Sequence, residues 1–290
     1  MPLPSSQSLK MADPQSNFAH CEALVREADP DRYFASLLAP ADKRPYLHAL
    51  HAFNFEVARV RESVREPMLG EIRLQWWRDA LQGEARGDVR ANPIAAALDD
   101  AIVKFRLPRQ SLVDLIDARM FDLYDDPMPS LNDLEGYCGE TSSSLIQLSS
   151  IILNDGKDPG TADAAGHAGV AYAITGLLRA FPIHARQGQL YIPVDILSHH
   201  GVVRDDIVTG RGGPGLKGAL ADMRAIARRH LDQARSLRPT IPPAAKPAFS
   251  QLALVEPYLK AMEKRDYDPL HTPVEISQMR RIWALWRGPF

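Results

Sequence analysis

Apolar residues recur at every third or fourth position along most of this chain and nowhere convincingly at every second, which predicts helices and no strands. The clearest stretch is residues 48–81. Leu50, Phe53, Val57, Val60 and Val64 lay an apolar stripe along one helix, and Pro67 and Gly70 then mark a turn. A second amphipathic run follows, with Ile72, Leu74, Trp76, Trp77 and Leu81 set among Glu71, Arg73, Arg78 and Asp79. On the polar side of the first helix, Ala58, Arg59 and Glu62 fall within one turn, and Ala58 and Glu62 point the same way. By residue type alone this is a solvated Arg/Glu face.

The same period continues on both sides. Residues 21–38 read as two short helices broken at Pro30, and Pro40 and Pro45 bracket the turn into the 48–81 pair. Further helical runs begin after Pro93 and Pro108 and again near Asn132. The last of these is crowded with Thr141, Ser142, Ser143 and Ser144, small hydroxyl residues that line a polar cavity or, as the safer reading, pack closely by bonding back to the preceding turn. Residues 167–181 are almost uncharged and are expected to end at Pro182, which suits a helix at the centre of a bundle. Residues 189–196 read as irregular, and a glycine-rich stretch from Gly201 leads into another helix. After the prolines at 239, 242, 243 and 247, helical patterns resume and end in a basic, Trp-containing helix. About ten helices packed ridges-into-grooves are expected. Residues 1–20 read as a disordered lead-in and residues 21–290 as one all-α domain.

Composition adds exclusions. With 45% apolar and 24% charged residues the chain is an ordinary globular one, and a net charge of −2 gives no basic field for nucleic acid. Cys21 and Cys138 are too few for a disulfide framework or a thiolate metal site, which suits a reducing, cytoplasmic location. No run approaches the roughly 18 apolar residues of a spanning helix. Gly210, Gly212 and Gly215 satisfy GxGxxG without the strand a dinucleotide site needs. The adjacent His199 and His200 diverge by about 100° on a helix and cannot share a metal. Ser142 to Ser144 lacks the nucleophile elbow of a serine hydrolase.

The order of pieces carries more. RYFASLLAPADKRPYLHALHAF, RLQWWRDAL, LEGYC, GVAYAITGLLRAF and GQLYIP resemble the squalene/phytoene synthase family, from about Asp31 to Asp195 and more faintly to the C-terminus. The resemblance implies an isoprenoid-synthase-like helical bundle around a central cavity. In that family, two facing helices carry aspartate motifs that hold Mg²⁺ against the diphosphates of two prenyl substrates. Hard Mg²⁺ suits carboxylate oxygens and offsets charge on the leaving group.

This chain departs from the family at those positions. The first motif, usually DDxxD, is Ala58, Arg59, Val60, Arg61 and Glu62; the second, usually RDxxED, runs from Arg179 through Ala180 to His184. Arg59 sets a cation where a divalent ion would sit. Residues 52–81 and the LYIPVDI run resemble, within the family, a respiratory complex I assembly factor with a phytoene-synthase-like fold and its bacterial relatives. The expectation is therefore a non-catalytic protein acting in NADH dehydrogenase assembly, with a prenyl or lipid ligand in the old cavity and no cofactor. The alternative is a Mg²⁺-dependent prenyltransferase making squalene or phytoene.

On the first reading, Arg59, Arg179 and Arg186 meet an anionic head group, Glu62 pairs with Arg59 or Arg179, and Tyr191 caps the cavity. A structural network of these five residues is the equal alternative. Arg280, Arg281, Trp283, Trp286 and Arg287 offer a peripheral contact with the inner face of a membrane; the competing reading docks the Trp pair on the bundle core.

Overall fold

Fifteen α-helices, joined by short 3₁₀ turns and with no strand among them, make up residues 14–288, the part described by this computed structural model. Helix α1 (Pro14–Ala28) opens the chain, and Asp29 caps α2 (Pro30–Ser36) by accepting the Arg32 backbone N–H. The expected lead-in over residues 1–20 lies outside the described residues as far as residue 13. Its last seven residues belong to α1, where Phe18 meets the Tyr46 ring edge-on at 5.0 Å.

Helix α3 (Arg44–Ala58) buries Leu50, Phe53 and Val57 completely or nearly so. The single helix expected here is split: Arg59, at φ −86° and ψ 3°, leaves the helical register, and α4 (Val60–Ser63) is one turn long. Helix α5 (Pro67–Gln82) contains Gly70 rather than turning at it, and the missing Cβ leaves room for Leu123. Trp77 packs edge-on against Phe53, with centroids 5.2 Å apart.

Helices α6 (Pro93–Phe105) and α7 (Arg109–Arg119) cover one side of the core. Helix α8 (Leu131–Cys138) passes through a π turn at Gly139–Ser143 into α9 (Ser144–Leu153). At the centre runs α10 (Ala162–Arg186), packed on α9, the π turn and α13. It does not stop at Pro182. The proline ring removes one backbone hydrogen bond, yet the last turn persists with Phe181, Pro182 and Ala185 buried.

Two short helices, α11 (Val194–His199) and α12 (Arg204–Val208), lead to α13 (Pro214–Leu237). Residues Lys246–Leu254, expected as α-helix, form a 3₁₀ helix before α14 (Val255–Ala261). Helix α15 (Gln278–Trp286) closes the bundle over α2. It buries Arg281, Ala284 and Leu285 and turns Met279, Trp283 and Trp286 outward, so the Trp pair does not dock on the core. Among the described residues no helix is long and apolar enough to cross a membrane.

Candidate functional site

Helices α2, α3, α7, α10, α14 and α15 and the π turn converge on a cavity of about 430 Å³. Its floor is organised by Asp31, which α2 holds 4% exposed. Arg179 of α10 donates to Asp31 Oδ2 at 2.8 Å, Tyr258 of α14 at 2.8 Å, and Arg281 of α15 to Oδ1. The Arg179 guanidinium also lies 3.7 Å from the Tyr258 ring centroid. Burial works most strongly against charge on Arg179, but Asp31, Tyr258, Tyr172 and Glu275 together outweigh it and hold the guanidinium protonated. Beside this group, Arg32 is paired with Asp29 at 2.8 Å and stacks on Tyr172.

A second network crosses the waist of the cavity. Arg119 donates through Nη1 to Asp122 at 3.0 Å and to the Tyr137 hydroxyl at 2.6 Å. The hydroxyls of Tyr137 and Tyr191 both donate to Asp122 Oδ1, at 2.8 and 2.7 Å. Burial raises both phenols above their ordinary range, so they stay neutral donors. His184, whose ring lies 4.9 Å from that of Tyr191, is pushed down to about 4 by burial and is neutral near pH 7.

Beyond the waist lies an outer lobe of about 210 Å³, which shares Arg119, Leu177 and His184 with the inner one. Ala58, Arg59, Glu62 and Tyr191 line this lobe, and Arg179 lines the inner. Ala180 and Arg186 line neither, and Arg186 reaches the His271 carbonyl at 3.5 Å on the surface. The expected pairing of Glu62 with Arg59 or Arg179 is not made. The break after Ala58 turns Arg59 back to Glu56 at 3.1 Å, and Arg179 is taken by Asp31. Tyr191 is buried as a hydrogen-bond donor rather than capping a mouth.

Sequence reasoning missed Asp31, Arg32, Arg119, Asp122, Tyr258 and the function of Arg281 inside the cavity. Two signals were present: acids flanking Pro30 at a helix start, and an Arg and Asp three apart in ARMFD.

The model of the family described as squalene/phytoene synthase matches residues 25–280. The chain belongs to the squalene/phytoene synthase family. It is 34% identical over 260 residues to NADH dehydrogenase (ubiquinone) complex I, assembly factor 6 of Mus musculus, covering 90% of this chain and 78% of that one. Identity to phytoene synthase 3, chloroplastic, of Zea mays is 24% over 292 residues, covering 98% and 67%. A crystal structure of a dehydrosqualene synthase in complex with ligand superposes with a TM-score of 0.79 at 18% identity, covering 95% and 97% of the two chains.

Prenyl transfer in this family implies Mg²⁺, and the side chains that the resemblance aligns with its metal motifs do not suit it. Glu62 is the one carboxylate among Ala58, Arg59, Glu62, Ala180 and His184. The neighbouring Glu56 is engaged by Arg59. Among the described residues no three His, Cys, Asp or Glu side chains are grouped to hold a metal ion. A hard divalent ion needs several oxygen ligands, which this donor set does not supply.

Proposed function

We propose that this protein is a non-catalytic member of its family that acts in the assembly of respiratory NADH dehydrogenase and keeps the central cavity as a binding site for a lipid or prenyl ligand. The observation that carries the reading is the pairing of Arg59 with Glu56 at the first motif position, which leaves Glu62 without a second carboxylate. The 34% identity to a protein named as a complex I assembly factor supports the same conclusion. Ionising a prenyl diphosphate requires several kcal/mol of charge stabilisation from bound metal, and one exposed carboxylate is a poor source of it.

Deleting the gene is expected to lower both assembled NADH dehydrogenase on native gels and NADH:quinone oxidoreductase activity, with restoration by the wild-type gene. Normal assembly in the deletion strain would overturn the reading. The competing prenyltransferase function predicts diphosphate release from farnesyl or geranylgeranyl diphosphate with Mg²⁺, and we expect none.

The surface of α15 supports peripheral attachment to the inner face of a membrane. Trp283 and Trp286 are 53% and 78% exposed, beside Arg280 and Arg287, and Trp and Arg favour the lipid–water boundary. Trp286→Ser is expected to reduce sedimentation with anionic liposomes while changing stability by less than about 0.5 kcal/mol. Equal sedimentation of the two proteins would remove α15 from the membrane contact.

A further inference from the structure

Four consecutive hydroxyl residues pass the cavity wall, and three are satisfied. Thr141 donates to the Tyr137 carbonyl at 2.6 Å, Ser143 to the Gly166 carbonyl at 2.8 Å and Ser144 to the Glu140 carbonyl at 2.5 Å. Ser142, 3% exposed, has no partner for its hydroxyl. It lies in the π turn, a backbone form that often re-aims side chains at functional sites.

Three more residues of the same inner lobe keep a buried polar atom without a partner: Arg32 at Nε, Arg119 at Nε and Asn54, 5% exposed, at Oδ1. Arg32 and Arg119 also feel each other's charge. Two buried guanidiniums that repel, each keeping an unused N–H, describe a place for an oxyanion.

The charge count restricts which oxyanion. Arg32, Arg119, Arg179 and Arg281 face Asp29, Asp31 and the Asp122 bound by Arg119. Glu275, the remaining acid of the lining, is 71% exposed and stands 3.7 Å from Arg179 and 3.9 Å from Arg281. Four acids thus balance four arginines, and what the site offers an anion is its unused N–H and O–H donors rather than a surplus charge.

We propose that the inner lobe binds a singly charged phosphodiester without metal, held by Arg32, Arg119 and Ser142. A diphosphate would bring several negative charges into a site with no surplus cation to balance them. The proposal rests on the reading that the cavity still holds a ligand, and it names the ligand's head group.

Calorimetric titration of the full-length protein in EDTA tests it. The probes are dihexanoyl phosphatidylglycerol below its micelle concentration, dimethyl phosphate, dihexanoyl glycerol and inorganic pyrophosphate. Saturable binding of phosphatidylglycerol is expected, with dihexanoyl glycerol weaker by roughly tenfold or more and pyrophosphate no tighter than dimethyl phosphate. Dimethyl phosphate binding as tightly as phosphatidylglycerol would support the site and assign it to a free phosphodiester rather than a lipid.

Ser142→Ala is expected to weaken phosphatidylglycerol binding about tenfold while leaving the melting temperature unchanged or higher, because it deletes an unpaired group. Unchanged affinity in this variant would overturn the site. Neutral glyceride binding as tightly as the phosphodiester would overturn the head group and leave the cavity as a ligand site. Binding only with Mg²⁺, or pyrophosphate binding much more tightly, would also overturn it. Failure of every probe would remove the ligand-binding reading as well.

Discussion

Asp31 is hydrogen-bonded by two arginines and a tyrosine contributed by three different helices. Removing a buried partner of this kind is costly because the remaining charges lose their compensation. Asp31→Asn is expected to lower unfolding stability by about 3–5 kcal/mol in urea, whereas a loss below about 1 kcal/mol would mean that water already screens both guanidiniums. The sequence placed Arg179 in the cavity through its motif position, but nothing in it joined Arg179 to Asp31. Asp31 and Arg281 stand 250 residues apart, and no local period or spacing links them. Arg59 shows the converse. Its place beside the cavity was legible, but its partner followed from backbone angles at one residue, which hydrophobic patterning does not encode.

At the scale of elements, α10 is held by close backbone contact with the π turn. A Cβ on Gly169 would come within 2.3 Å of the Ser143 backbone, whereas one on Gly176 would meet nothing within 4 Å. Gly169→Ala should therefore destabilise by about 1–3 kcal/mol or more through overpacking, and Gly176→Ala should stabilise by roughly 0.5–1 kcal/mol through helix propensity. Equal effects of the two on the urea midpoint would show that α10 tolerates displacement from the turn. Helix positions were legible because the apolar stripe repeats, and close packing at the hydroxyl run followed from residue size. Helix ends were less so. Continuation through Pro182 depends on burial of Phe181 and Ala185, a tertiary effect that outweighs the local proline penalty.

For the whole molecule, the buried histidines couple stability to pH. Burial lowers His51 to about 3 and His184 to about 4, so both are neutral in the folded chain and take up protons near pH 6.5 once unfolded. Stability from these groups is therefore complete above pH 6.5 and falls as the pH drops toward the folded values, by roughly 2 kcal/mol per histidine at pH 5. Asp29, held below the ordinary carboxylate range as Arg32 outweighs its burial, adds its own loss only at lower pH. The drop in urea midpoint between pH 7 and 5 should shrink substantially in His184→Gln, and an unchanged drop would place the His184 ring in water. The all-α class was legible from periodicity throughout, but not the neutrality of His184, which depends on the walls around it. That neutrality matters at the waist of the cavity. There the ring stands uncharged beside Asp122 and Arg119 near pH 7 and adds no charge of its own to the site proposed above.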